Sequence, residues 1–134
     1  MRAKDLMIGD WIYNTHNQQS EQVVEIREHM VMLTYNDLYD YDDIEPIPLT
    51  AEILEKNGWK EEHDGIARQY VSEDRRVILH DDDRFLNSQQ EWYIHIDSVN
   101  MSTIGCLELT FVHELQHFLW LCNIEKEIVI NHEG

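Results

Sequence analysis

The chain has 134 residues, 43% of them hydrophobic, which suits one compact domain or two small packed halves. Acidic residues outnumber basic ones 27 to 10, a formal charge of −17, and that balance opposes direct binding to nucleic-acid phosphates, which requires a basic surface. No stretch approaches the roughly eighteen apolar residues of a membrane span, and Met1-Arg2-Ala3-Lys4-Asp5 leads into only a short apolar run, so neither a membrane segment nor a signal peptide is expected and the expected location is cytoplasmic.

In chain order, Ile8-Gly9-Asp10-Trp11-Ile12-Tyr13 offers a turn glycine followed by large residues, as the first strand of a small barrel would. Asn14 to Ser20 is a polar hairpin loop. Gln22 to Arg27 and Met30 to Tyr35 are β-rich runs separated by Glu28-His29, which predicts a second hairpin. Tyr39, Tyr41 and Ile44 then sit among aspartates ahead of Glu45-Pro46-Ile47-Pro48-Leu49, where two close prolines favour extended backbone, a closing edge strand and a joint to the next part.

Thr50 is a good N-cap for a helix of about two turns over Ala51 to Asn57, with Gly58 supplying the left-handed residue that ends it. Trp59-Lys60, Ile66 to Val71, Arg76 to His80 and Glu91 to Ile96 alternate apolar and polar residues. With turns at His63-Asp64-Gly65, Ser72-Glu73-Asp74 and Asp81 to Gln90, they predict an antiparallel sheet. Met101 to Leu107 adds a strand, and Glu127 to Ile130 a short terminal edge strand. Between them, Leu109, Val112, Leu115, Leu119 and Cys122 recur at helical steps, so Leu109 to Cys122 is a helix with one stripe facing a core, expected over the second sheet.

This helix contains His113-Glu114-Leu115-Gln116-His117, a formal match to the H-E-x-x-H of zinc hydrolases, in which two histidines bind zinc and the glutamate activates water. The extended form of that motif is absent, because Trp120 and Asn123 stand where glycine and a third histidine belong. His80, His95 and His132 are the conceivable third ligands. The reading preferred is therefore no metal and no cofactor, with His113, Glu114 and His117 kept as the zinc alternative. No Gly-rich phosphate loop and no G-x-S-x-G turn is present, so nucleophilic catalysis has no support. Cys106 and Cys122 lie in apolar surroundings without CxxC spacing and read as reduced core residues, with a structural disulfide as the minor alternative. Asp81-Asp82-Asp83 lacks the glycine and terminal glutamate of a calcium loop and reads as a solvated turn.

Tyr39-Asp40-Tyr41-Asp42-Asp43, with Tyr35 and Asp37 just before it, alternates aromatic and acidic side chains with no basic residue among them. Aromatic residues anchor interfaces, and surrounding carboxylates select a basic partner; the structural alternative is that the tyrosines cap the core.

Asp5-Leu6-Met7-Ile8-Gly9-Asp10-Trp11-Ile12, Asp43-Ile44-Glu45-Pro46-Ile47-Pro48-Leu49-Thr50, Leu54 to Trp59, and Val112-His113-Glu114-Leu115-Gln116 with Leu119 resemble, in order along nearly the whole chain, a group of small uncharacterised proteins common in Bacteroides-type gut bacteria and their phages and prophages. The resemblance implies a mobile-element origin and no particular activity. Members of that group tend to carry Val-His-x-Leu-Gln-Asn, so the second histidine of the zinc spelling is peculiar to this chain.

Together these features predict an α+β protein with an N-terminal SH3-like small β-barrel at residues 1–49 and an antiparallel sheet with two helices at residues 50–134 packed against it. The expected function is non-enzymatic: a phage- or prophage-type accessory protein that binds a protein with a basic surface, through Tyr35, Asp37, Tyr39, Asp40, Tyr41, Asp42 and Asp43. The alternatives are an acidic nucleic-acid mimic that inhibits a host defence nuclease, and the zinc hydrolase.

Overall fold

The computed structural model describes residues 1–63, 68–82, 91–96 and 107–130. Five short strands form in the first part of the chain: β1 (Trp11–Asn14), β2 (Gln19–Ile26), β3 (Met30–Leu33), β4 (Leu38–Asp40) and β5 (Ile44–Pro46). They pair antiparallel in the order β4-β3-β2-β1-β5. Both expected hairpins form. In the first, Asn14 Oδ1 accepts the backbone N–H groups of His16 at 2.9 Å and Asn17 at 3.3 Å, an Asx turn that folds the loop back. In the second, the Arg27 N–H reaches the Met30 carbonyl at 2.9 Å across Glu28-His29.

Pro46 sits on the edge strand β5, where its missing N–H deprives no neighbour of a ladder bond. A 3-10 turn, Tyr41–Asp43, carries the chain from β4 to β5, the two edges of the sheet. No ladder joins those edges, so the sheet is open. Its core is Leu6, Ile12, Val23, Val31, Leu33, Tyr41 and Ile44.

The second sheet follows a helix that starts and stops as its residues dictate. Thr50 Oγ1 accepts the Ile53 N–H at 3.2 Å to cap α1 (Ala51–Lys56), and Gly58 takes a φ of +87° just beyond it. Strands β6 (Lys60–His63), β7 (Arg68–Val71), β8 (Val77–Asp82), β9 (Glu91–Ile96) and β10 (Leu107–Leu109) form an antiparallel meander in the order β10-β9-β8-β7-β6. Tyr70 and Trp92 meet edge-to-face at 5.6 Å, and the Trp92 indole N–H is satisfied by the Leu49 carbonyl at 2.8 Å, so two large aromatics are buried without an orphaned donor on Trp92.

The chain divides into two compact units, Met1–Ile47 with Phe111–Gly134, and Pro48–Thr110. Among the described residues the architecture is α+β, with two antiparallel sheets and two α-helices. The chain passes between the units at Ile47–Pro48 and again at Thr110–Phe111. The second helix, α2 (Val112–Leu121), expected over the second sheet, instead groups with the first unit, where its Val112 N–H donates to the Ile47 carbonyl at 2.8 Å. Glu127 to Ile130, expected as an edge strand, carries no ladder. Its Ile128 carbonyl accepts the Trp11 indole N–H at 2.8 Å, and the Ile128 side chain is buried. Asp81 and Asp82 extend β8 rather than forming a turn. The expected turn at 64–65, most of the turn to Gln90, most of the strand from Met101, Cys106 and His132 lie outside the described residues. No described helix is long and apolar enough to cross a membrane.

Candidate functional site

The acidic aromatic run spans the β3–β4 turn, β4 and the 3-10 turn, and the fold divides it by side chain. Tyr35 at the hairpin tip is 63% exposed, next to Asn36 in the left-handed region at φ +65°. Asp37, Asp40 and Asp42 are exposed and Asp43 half-buried. Asp40 caps the 3-10 turn, its Oδ1 accepting the Asp42 N–H at 3.0 Å. Tyr39 is half-buried against the core, with its hydroxyl 2.8 Å from Asn17 Nδ2 and its ring tilted against His16 at 5.9 Å. Tyr41 is a core residue: its hydroxyl donates to the Arg27 carbonyl, and burial pushes its phenol above the ordinary range. Of the seven residues read as a partner surface, Tyr41 serves the interior.

In α2, the H-E-x-x-H residues are each engaged locally. Glu114 Oε1 accepts the Phe111 N–H at 2.9 Å, closing the first turn of a helix whose N-cap residue, Phe111, has no capping side chain. His113 is buried, stacks on Phe111 at 6.0 Å and meets His117 edge-on at 5.5 Å. Its Nδ1 is enclosed without a partner. Burial pushes the His113 imidazole below its ordinary value, against the opposing pull of the Asp10 charge. His117 Nε2 stands 2.7 Å from Asp10 Oδ2. A carboxylate oxygen accepts, so Nε2 is the donor of this bond. Among the described residues no group of three or more His, Cys, Asp or Glu side chains is placed to hold a metal. His80 lies on β8 in the other unit, and His95 on β9.

Asp10, which sequence reasoning passed over, is the centre of this region. It is 1% exposed, and its Oδ2 accepts both the Met7 N–H at 2.8 Å and the His117 ring. Gln116, one position before His117, clamps the same loop. Its Oε1 accepts the Trp11 N–H at 2.8 Å and its Nε2 donates to the Gly9 carbonyl at 3.0 Å, which Gln22 Nε2 also reaches at 3.1 Å. The side-chain amide thus pairs with residues 9 and 11 as a neighbouring strand's peptide group would. Gly9 has φ +95°, a conformation that costs glycine least.

Around this polar floor runs a groove of about 710 Å³, bounded by the loop Met7–Asp10, the C-terminal half of α2 and the segment from Asn123 to Ile128. Ile8 and Trp120 both line it, although they are 72% and 67% exposed. The sequence signal available for this site was the pairing of a turn aspartate with an i, i+1 Gln-His on a distant helix, which no local periodicity reveals. The chain matches no protein-family model, no curated protein and no solved structure with which it was compared.

Proposed function

We propose that this protein is a non-enzymatic accessory protein that binds another protein, and that the partner presents a basic surface. The observation that carries this reading is the exposure of Tyr35 at a hairpin tip together with Asp37, Asp40 and Asp42, a run of the chain with no cation of its own. An exposed aromatic gives apolar contact, and the carboxylates around it select lysine and arginine and speed the encounter. Tyr39 and Tyr41, held from within, keep the segment in place. The strand order, with a 3-10 turn between β4 and β5, supports reading residues 1–49 as an SH3-like small barrel left open between those two edges, a scaffold suited to displaying such loops. The likeness of the four sequence blocks to phage and prophage proteins supports action inside a bacterial host cell.

Parallel affinity capture from bacterial lysate with the wild type and with an Asp37→Asn, Asp40→Asn, Asp42→Asn triple variant tests the reading. At least one protein of basic surface should be retained by the wild type, lost as salt is raised, and lost with the variant. Identical retained sets would sink the proposal.

A further inference from the structure

We propose that the groove between the Met7–Asp10 loop and the end of α2 is a second docking site, which takes an extended protein segment carrying an arginine beside an aliphatic residue. The inference is independent of the acidic hairpin, since no residue of that segment lines the groove.

The apolar contribution comes first. Ile8 and Trp120 are large side chains left mostly in water, and they stand on the same groove, so an aliphatic neighbour laid there removes apolar area from both partners. An indole face in solvent is also the best side-chain surface for a cation, and a planar guanidinium stacks on it. The charges agree with this. Glu125 and Glu127 line the groove against Lys126, while the buried Asp10 is already bonded to the Met7 N–H and His117, so the accessible carboxylates outnumber the lysine there. An anionic segment would meet two carboxylates, Glu125 and Glu127, with Lys126 alone to offset them; a cationic one finds two acceptors for its donors.

The floor is also rigid. Asp10 is bonded to Met7 and His117, and Gly9 and Trp11 are clamped by Gln116, so little ordering of the loop remains when a ligand arrives. On the far wall, the Trp11 indole N–H fixes the Ile128 carbonyl, which holds the segment bearing Glu125 and Glu127.

The test uses the full chain and two capped peptides, Ac-Gly-Leu-Arg-Leu-Gly-amide and its counterpart with glutamate in place of arginine, followed by tryptophan emission and by the NMR signals of the indole N–H groups. The arginine peptide should move the Trp120 signal saturably, with a Kd of about 1 mM or tighter. The glutamate peptide should bind at least about tenfold more weakly, and Trp120→Ala, or Glu125→Gln with Glu127→Gln, should weaken the arginine peptide about tenfold. Equal binding of the two peptides, a Trp120 signal that does not move, or full affinity in Trp120→Ala would each overturn the proposal. The triple hairpin variant should bind the arginine peptide as the wild type does. If the peptide fails while that variant still loses its captured partner, the groove is wrong and the hairpin surface stands.

Discussion

Two sets of aspartates in the first unit serve opposite ends. Asp10 is withdrawn from solvent and pairs with a backbone N–H and an imidazole, whereas Asp37, Asp40 and Asp42 stand in water, with only Asp40 given a local capping bond. A buried charge that loses its partners is left uncompensated, while an exposed one loses little. Formal charge therefore says little about this molecule until burial is known: one of the four carboxylates holds the fold together, and the other three are available to a partner.

The contrast predicts its largest effect at the buried end. Asp10→Ala removes the acceptor of both the Met7 N–H and the His117 ring and should destabilise the protein by about 3 kcal/mol, near the lower bound for breaking a buried pair because His117 remains partly in contact with water. Urea unfolding followed by tryptophan emission reads it. A loss below about 1 kcal/mol would mean that Asp10 is no more structural than its exposed counterparts. His117→Ala should cost less than Asp10→Ala, since the Met7 bond survives.

A smaller effect appears on acidification. His113 is buried, and burial holds its imidazole below the unfolded value of about 6.5, so the native state binds fewer protons than the unfolded chain in that range. The associated stability is complete above the unfolded value and is lost as pH falls through it toward the lowered native one. Asp10 and Glu114 oppose the shift by their charge, and His117 reinforces it. Unfolding midpoints measured from pH 7.5 down to 5 should fall more steeply for the wild type than for His113→Phe. Parallel slopes would assign the acid sensitivity elsewhere. Tyr41→Phe, which strips one hydrogen bond to the Arg27 carbonyl and keeps the buried ring, should cost about 1 kcal/mol, leaving that carbonyl to be satisfied otherwise.

Local signals explain why most strands were readable from sequence. Gly9, Glu28-His29, Thr50 and Gly58 mark turns and caps through their own backbone chemistry, and β9 occupies the span that its alternation predicts. The partition of α2 was not readable, because it depends on Gln116 reaching Gly9 and Trp11, more than a hundred residues away in sequence. Glu127 to Ile130 has strand-like composition, yet it forms no ladder, and its Ile128 carbonyl bonds a side-chain donor, the Trp11 indole. In the same way, two residues of the H-E-x-x-H spelling, Glu114 and His117, have protein partners in the Phe111 N–H and Asp10. A one-dimensional motif cannot tell those partners from a metal.

The smallest stability change should come from the exposed aspartates, and that smallness gives the comparison its force. Asn caps a turn about as well as Asp, so Asp40→Asn keeps the bond to the Asp42 N–H, and Asp37→Asn and Asp42→Asn remove charge from water-exposed positions. The triple variant should stay within about 0.5 kcal/mol of the wild type, with a gain as plausible as a loss because three like charges leave an already acidic chain. Its association with a captured partner should be slower, and the salt dependence of that rate shallower, since the attraction it lost is the part screened over a Debye length of about 8 Å at physiological ionic strength. An association rate and salt slope equal to those of the wild type, at unchanged stability, would show that the hairpin carboxylates serve solubility alone, and the distinction between the buried and the exposed aspartates would then be one of stability without a counterpart in binding.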